Sequence, residues 1–243
     1  MPVTNLLIDI GNSNCKAAFG TGGELGDILR SSDTDVTGFI LSVAGDREID
    51  VIVLSTVREE DPQMEKRLEA RCRKLVVLKP STKLPVDFQF GFPASTLGSD
   101  RLAGALAVAM LFPGKDCIKF DFGTALTVDF IDGDGVFKGG NISLGMTSRF
   151  RALNVFTKRL PMVVPGEEVC SFGTNTAQAL EAGVVLGMKF EVEGYINKYP
   201  GHTIIFTGGD SFYFAEKLKS PIFVVPNLVL VGLALIADYY VQN

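Results

Sequence analysis

Residues 8–14 read IDIGNSN, in which an acidic residue stands inside an apolar strand that turns at once through a glycine. A carboxylate is disfavoured in a strand and costly to bury without partners, so a single occurrence would carry little weight. Residues 118–131, IKFDFGTALTVDFI, repeat the pattern. Asp9 and Asp121 each precede a glycine by two residues, and they stand 112 positions apart (121 − 9), almost half of the 243 residues. This spacing predicts a duplicated fold with two domains.

Composition limits the classes of function. The chain has 47% apolar and 21% charged residues, which is enough apolar material for packed cores. Its net charge of −5 gives no general attraction to nucleic acid or to an anionic membrane surface, so we expect neither as a partner. The apolar runs 102–112 and 228–237 are too short to cross a bilayer. No basic and apolar leader precedes Leu6, so a cytoplasmic location is expected.

The cysteines and the single histidine do not predict a metal or a hydrolytic centre. None of the cysteines forms a CxxC pair, and His202 alone could join them as a nitrogen ligand, so a structural zinc site is disfavoured. A Ser-His-Asp triad also lacks support, and His202 is interpreted as a surface residue. The cysteines are Cys15, Cys72, Cys117 and Cys170.

The pattern of elements predicts an α/β fold with mixed sheets. Each half is expected to begin with three meandering strands and to continue with alternating helices and parallel strands, because the first connections are too short for helices. The domains are predicted as 1–113 and 114–243, with the last helix a candidate to pack back on the first domain. Strands are expected over 3–10, 15–20, 27–31, 50–55, 75–78, 116–122, 125–132, 135–139, 203–209 and 222–225. Helices are expected over 34–44, 60–73, 101–112, 145–157, 174–198 (with an Asn or Thr cap) and 211–219, and from Pro226 at the first helical position.

The glycine turns suggest a nucleotide site. A strand followed by a tight glycine turn exposes backbone N–H groups that can cradle phosphate oxygens. The acidic residue before the turn suits Mg²⁺ bridging to the phosphates, and FTGGD at 206–210 offers a third glycine turn. Neither GxxxxGK[ST] nor GxGxxG between a strand and a helix is present, which excludes a P-loop or Rossmann interpretation.

A second constellation is LGSDR at 97–101, where a proline-rich loop over 79–97 meets a helix. Asp100 could accept a proton from a substrate hydroxyl, and Arg101 could bind a substrate carboxylate or phosphate. The alternative is a helix-start cap with an exposed arginine. Lys16 is equally open, since it could reach phosphates or point to solvent.

Taken in order, these motifs resemble type III pantothenate kinase across nearly the whole chain. They are DxGNS at 9–13, GxDR at 98–101, DxGTA at 121–125, GGNISLG at 139–145, GTNT at 173–176 and TGG at 207–209. The resemblance implies two actin-like (ribonuclease H-like) domains with a cleft between them. It also implies ATP-dependent phosphorylation of pantothenate, the first step of coenzyme A synthesis, by a homodimer that uses Mg²⁺ with ATP.

The resemblance also implies roles for individual residues. Asp100 would be the proton acceptor, and Asp121 would bind a monovalent cation, K⁺ or NH₄⁺. Asp9 is the candidate Mg²⁺ ligand. ATP would be bound by Asp9, Ile10, Gly11, Asn12, Ser13, Asn14, Cys15, Lys16 and Thr124, and pantothenate by Gly98, Ser99, Asp100, Arg101 and Thr176.

One departure concerns pantothenate. The family usually has a pantothenate-contacting tyrosine before GxDR, whereas this chain has Phe88, Phe90 and Phe92 there. Phe90 is the candidate for the ring contact, and the missing hydroxyl would cost on the order of 1 kcal/mol in binding. Three alternatives stay open at this point: a kinase for another small hydroxylated metabolite, a non-catalytic nucleotide-binding regulatory relative, and an actin-like filament protein.

Overall fold

The chain consists of two compact units. The computed structural model describes residues 4–86, 88–91 and 96–243. Unit 1 contains Met1–Pro113, Asp134–Phe137 and Asn227–Asn243, and unit 2 contains Gly114–Gly133 and Lys138–Pro226. The strands are β1 Asn5–Ile10, β2 Cys15–Thr21, β3 Glu24–Leu25, β4 Leu29–Ser31, β5 Ile49–Thr56, β6 Cys72–Val77, β7 Cys117–Phe122, β8 Ala125–Ile131, β9 Phe137–Leu144, β10 Thr203–Gly208 and β11 Phe223–Val224. The helices are α1 Val36–Ala44, α2 Pro62–Glu69, α3 Ser99–Leu111, α4 Met146–Phe156, α5 Thr176–Lys198, α6 Ser211–Ala215 and α7 Leu228–Gln242.

The sheet of unit 1 is mixed, as predicted. Its strand order is β3-β2-β1-β5-β6, and β4 also pairs with β2. The central strand β1 is antiparallel to β2 and parallel to β5. A four-residue turn permits only the antiparallel hairpin, whereas the crossover through α1 returns β5 parallel to β1.

Helix starts in unit 1 follow from the sequence. The side chain of Asp35 accepts a hydrogen bond from Gly38 N at 2.8 Å, which caps α1. Asp61 caps α2, and Pro62 occupies a position at the start of that helix where its missing N–H has no consequence. No helix in the described part of the chain combines the length and the apolar character that crossing a bilayer requires.

The two faces of the first sheet have different coverings. Leu6, Ile8, Ile52 and Leu54 are fully buried in a core with residues of α1 and α2. Side chains alternate along a strand, so Asp9 points to the opposite face. Helices α3 and α7 pack on β5, and α7 also packs on β1. The acidic residue of the first motif therefore lies on the face that these two helices partly cover.

Helices α3 and α7 approach closely. A Cβ atom added to Gly232 of α7 would lie 2.1 Å from the carbonyl oxygen of Ala103 in α3. Only glycine permits this distance, because any side chain would overlap the backbone of the neighbouring helix. The alanine-rich sequence of α3 supplies the other small surface.

The sheet of unit 2 repeats the arrangement of the first. Its order is β11-β10-β7-β8-β9, with β7 antiparallel to β8 and parallel to β10. Its core is aromatic: the ring of Phe122 lies 4.7 Å from that of Phe206 and 5.0 Å from that of Phe214. Residues of α4, α5 and α6 complete this core. The pairing predicted from the two acidic hairpins is confirmed in both sheets.

Several predicted bounds were wrong. The short strand expected over 27–31 is β4, Leu29–Ser31, whereas the two-residue strand β3 before it was not predicted; Gly22 and Gly23 adopt positive φ angles and turn the chain into β3. Pro226 does not open α7, since Asn227 takes the left-handed conformation as the N-cap and the helix begins at Leu228. Helix α6 ends at Ala215 rather than 219. Helix α5 is capped by Asn175, as expected. Asp87 and residues 92–95 of the predicted loop lie outside the described residues.

Candidate active site

The first acidic hairpin forms a tight turn at the end of β1. Gly11 N donates to Asn14 O at 3.0 Å, which closes the turn and leaves Asn12, Ser13 and Asn14 exposed. Asp9 is the direct cross-strand partner of Lys16. Directly opposed residues share a face of the sheet, so a carboxylate and an ammonium group flank the base of this turn.

The second acidic hairpin, in unit 2, also turns at a glycine but connects its strands through two residues instead of four. Gly123 N donates to Ala125 O at 3.0 Å, and Thr124 is exposed. The carbonyl oxygen of Thr124 accepts hydrogen bonds from Gly145 N at 3.0 Å and from Ser148 Oγ at 2.6 Å. Gly145, at the end of the GGNISLG motif, and Ser148, in the first turn of α4, therefore hold the turn of the second hairpin in place.

The TGG turn at 207–209 packs against the second hairpin. Thr207 is the direct partner of Asp121 in the parallel ladder. Gly208 has φ 91°, and a Cβ there would lie 2.6 Å from Oδ1 of Asp121. Glycine is therefore required at 208 for both conformation and space. Burial raises the pKa of the Asp210 carboxyl above its ordinary value, because its charged form is poorly solvated.

The LGSDR motif forms the start of α3 in unit 1. Gly98 is the N-cap and makes no side-chain capping bond. Asp100 lies in the first turn, and its Oδ1 accepts a hydrogen bond from Arg101 N at 2.7 Å. The guanidinium group of Arg101 lies 5.7 Å from the ring centroid of Phe137. The carboxylate of Asp100 thus lies at the N-terminal end of α3, the positive end of the helix dipole.

The aromatic residues before GxDR differ in exposure. Phe88 is 8% exposed, and its ring lies 5.5 Å from that of Phe90 in an edge-on contact. Phe90 is half-buried and forms a β-bridge with Phe137. Phe92 lies outside the described residues. Of the two described rings, Phe90 is thus the more accessible.

Thr176 begins α5 in unit 2 and is exposed. The preceding Asn175 caps the helix by accepting from Gln178 N at 3.0 Å. Gln178 in turn accepts from the backbone and the hydroxyl of Thr174. These bonds make the GTNT segment a rigid helix start. The predicted site residues are thus divided between the units: unit 1 holds 9–16, Phe90 and 98–101, and unit 2 holds Asp121, Thr124 and Thr176.

Two polar residues near the motifs were not predicted. Arg58 Nε donates to the carbonyl oxygen of Gly11 at 2.9 Å, so a second cation lies at the first turn. The buried hydroxyl of Ser55 lies 3.4 Å from Oδ1 of Asp9. Both residues belong to the segment STVR at 55–58, which covers the end of β5 and the two residues after it. Only the pairing of β5 with β1 shows that this segment lies beside the first hairpin.

Asp9 and Asp121 offer two different kinds of metal site. Among the described residues, no group of three or more His, Cys, Asp or Glu side chains converges on one point. A lone carboxylate such as Asp9 fits Mg²⁺ that keeps its waters and the phosphates of a nucleotide as further ligands. Asp121 is the cross-strand partner of Thr127, whose Oγ1 is buried with no hydrogen-bond partner in the described structure. A carboxylate beside an unsatisfied hydroxyl oxygen fits a hard cation.

Solved structures define the class of the fold. A conserved protein of Campylobacter jejuni assigned to the Baf family of transcriptional activators superimposes with a TM-score of 0.66 at 22% identity, over 98% of this chain and 100% of that protein. MreB5 of Spiroplasma citri, bound to ADP, gives a TM-score of 0.54 at 10% identity, over 99% of both chains. With its two mixed sheets, each with an acidic hairpin at its centre, the chain has an actin-like fold.

Sequence similarity identifies the family within this class. The family model for type III pantothenate kinase matches residues 5–198. The type III pantothenate kinase of Phocaeicola vulgatus is 41% identical over 252 aligned positions, which cover 97% of this chain and 98% of the relative. The chain therefore belongs to the type III pantothenate kinase family, as its motifs predicted.

Proposed function

We propose that this chain transfers the γ-phosphoryl group of ATP to the primary alcohol of pantothenate and forms 4′-phosphopantothenate in coenzyme A synthesis. The observation that carries the proposal is the family match over 5–198 together with Asp100 at the start of α3. Phosphoryl transfer depends mainly on positioning and charge stabilisation, and each proposed residue has one of these two tasks.

On the nucleotide side, the proposed contacts are the 9–16 hairpin and Thr124. The exposed turn at 12–14 offers backbone N–H groups to the phosphates, with Lys16 and Arg58 as nearby cations. When bound, Mg²⁺ neutralises phosphate charge, and Asp9 is the residue that would hold it through its carboxylate. Arg58 is added to the residues predicted from the sequence.

A monovalent cation, K⁺ or NH₄⁺, is proposed at Asp121. The carboxylate supplies one negative charge, and the unsatisfied Oγ1 of Thr127 supplies a neutral oxygen. A single charge with neutral donors suits a monovalent ion better than a divalent one, which usually needs more anionic ligands. The cation would offset the negative charge of the phosphates.

On the acceptor side, the proposed pantothenate contacts are 98–101, Thr176 and the ring of Phe90. Asp100 orients the primary alcohol and accepts its proton as the oxygen attacks the γ-phosphorus, and Arg101 binds the pantothenate carboxylate. The hydroxyl of Ser99 is already bonded within the protein, so its contribution to the substrate site is its backbone.

We also propose that the protein is a cytoplasmic homodimer. The edge strand β9 supports the dimer, because it exposes 64% of Ile142 and 51% of Leu144. An apolar edge strand is a liability unless another chain covers it. Size-exclusion chromatography with light scattering tests this: a monomer at micromolar concentration would contradict it.

The function is tested by coupled ADP release with ATP, Mg²⁺ and a panel of primary alcohols, in K⁺ or in Na⁺. Pantothenate is expected to give the fastest turnover, and K⁺ is expected to activate it. Asp100→Asn should lower kcat by roughly 10²–10⁴-fold with an unchanged circular dichroism spectrum, because the proton acceptor is lost. The control Asp46→Asn removes an exposed carboxylate outside the site and should have no effect.

Other outcomes separate the alternatives. Faster ADP release with a different alcohol would identify a kinase for another metabolite. Nucleotide binding without ADP release for any alcohol would identify a regulatory relative. Near-normal turnover of Asp100→Asn would remove that residue from its proposed role.

A further inference from the structure

Ser55 lies at the base of the first hairpin, and nothing in the proposed chemistry uses it directly. It is fully buried near the end of β5, where it is the direct partner of Asp9 in the parallel ladder. Its hydroxyl donates to Oδ1 of Asp9 over a long distance of 3.4 Å. A hydroxyl at a buried sheet position needs partners, and the first of them here is the carboxylate of the nucleotide hairpin.

The second partner of Ser55 belongs to the acceptor motif. Its Oγ lies 3.0 Å from Oγ of Ser99, the first residue of α3, which is 6% exposed. Ser99 Oγ also accepts from Thr56 N at 3.0 Å and donates to Thr56 O at 2.9 Å. Ser99 directly precedes Asp100, so two hydroxyls connect the carboxylate of one motif with the helix start of the other.

The two hydroxyls differ in where their protons go. Ser99 Oγ donates its one proton to Thr56 O and accepts from Thr56 N, so the proton of Ser55 serves the two contacts of its own hydroxyl, with Ser99 Oγ at 3.0 Å and Asp9 Oδ1 at 3.4 Å. Ser55 Oγ therefore lies between the Asp9 carboxylate and the start of α3 and contacts both.

We infer that Ser55 is a positioning residue that holds the Asp9 carboxylate and the first turn of α3 in one fixed register. Through Ser55, the carboxylate that would hold Mg²⁺ and the segment that carries Asp100 share a single hydrogen-bonded frame. This inference rests on the proposed function for its effect on turnover, but its effect on Mg²⁺-dependent nucleotide binding can be measured without turnover.

The test uses Ser55→Ala and Ser55→Cys in the full chain. The thiol of Ser55→Cys fills the site but donates weakly, so this variant keeps the packing and removes most of the hydrogen bonding. Titration with a non-hydrolysable ATP analogue gives its Kd with Mg²⁺ and with EDTA. Both variants should reduce the affinity gain from Mg²⁺ by about 5- to 30-fold, near the lower end of the range for one lost hydrogen bond to a charged group, because the bond is long.

Turnover supplies the second readout. Both variants should lower kcat by a similar factor and change KM for pantothenate less than kcat, because proton acceptance by Asp100 depends more closely on its position than substrate binding does. Ser99→Ala combined with Ser55→Ala should lower kcat little further, since the connection is already broken. Ser42→Ala, which removes an exposed hydroxyl bonded to Phe39 O in α1, is the matched control and should behave as the wild type.

The outcomes are distinguishable. Wild-type Mg²⁺ dependence and kcat in both Ser55 variants, or a fall in melting temperature alone, would overturn the inference. If the wild type shows no pantothenate-dependent turnover but the Ser55 variants still lose the Mg²⁺ effect on Kd, the proposed function fails and the inference stands.

Discussion

Replacing Lys119 by methionine would leave the Asp129 carboxylate buried without the ammonium group that neutralises it. Lys119 and Asp129 are direct partners in the β7–β8 ladder, and Nζ lies 2.8 Å from Oδ2. Their side chains are 1% and 0% exposed. The pair lies on the same strands as Asp121 and Thr127, two positions further from the hairpin turn.

The expected cost follows from this burial. Two unit charges 2.8 Å apart attract by ~6 kcal/mol at an effective dielectric constant of about 20, which offsets much of the cost of removing both from water. Removing one partner keeps the desolvation cost of the other, so Lys119→Met should lower the free energy of unfolding by about 3–5 kcal/mol. Lys119→Met/Asp129→Leu removes both charges and should fall within ~1 kcal/mol of the wild type or exceed it.

Thermal unfolding followed by circular dichroism measures these differences. In a chain of this size, the single variant should melt about 6–20 °C below the wild type, and the double variant should recover most of that loss. The matched control is Lys138→Met, whose ammonium lies 3.4 Å from Asp132 but is 55% exposed, so its loss should cost less than ~1 kcal/mol. A Lys119→Met variant as stable as Lys138→Met, or a double variant as unstable as the single, would refute the reasoning.

Gly232→Ala should lower the free energy of unfolding by ~3 kcal/mol, because its Cβ would overlap the backbone of α3. Gly194→Ala, with nothing within 4 Å of the added atom, should raise the free energy of unfolding by ~0.5–1 kcal/mol. Equal effects of the two substitutions in urea titrations would contradict the packing described. Asp121→Asn should abolish the difference in turnover between K⁺ and Na⁺ in the ADP-release assay. Undiminished K⁺ activation of this variant would show that Asp121 does not bind the cation. Burial raises the pKa of the Cys15 thiol to about 11, so iodoacetamide at about pH 8 should label the exposed Cys170 long before Cys15, and equal labelling rates would show that β2 is open to solvent.

The duplicated architecture could be predicted because its signal is local. The two acidic residues and the glycines that follow them determine a strand, a tight turn and an antiparallel return, and these features depend only on neighbouring residues. The paired sheets with β1 and β7 at their centres then follow from the order of the elements. The residues of the resemblance motifs were found for the same reason, since each motif is contiguous.

Other features depend on pairs that are distant in sequence. Ser55 contacts Asp9 across 46 positions, and Arg58 contacts Gly11 across 47. Nothing in the pattern of STVR distinguishes it from an ordinary strand end, so only the parallel pairing of β1 with β5 reveals its proximity to the first hairpin. The close approach of α7 to α3 at Gly232 could not be predicted either, because a glycine in an apolar helix does not indicate which other helix packs against it.

Phosphorylation of pantothenate by this chain is tested most directly by identifying the product. The purified chain is incubated with pantothenate, ATP, Mg²⁺ and K⁺, and the products are analysed by mass spectrometry and ³¹P NMR. We expect pantothenate to gain one phosphoryl group on its primary alcohol in step with ADP formation, and to gain far less with Asp100→Asn. Unmodified pantothenate in the presence of a folded, nucleotide-binding wild-type chain would contradict the claim.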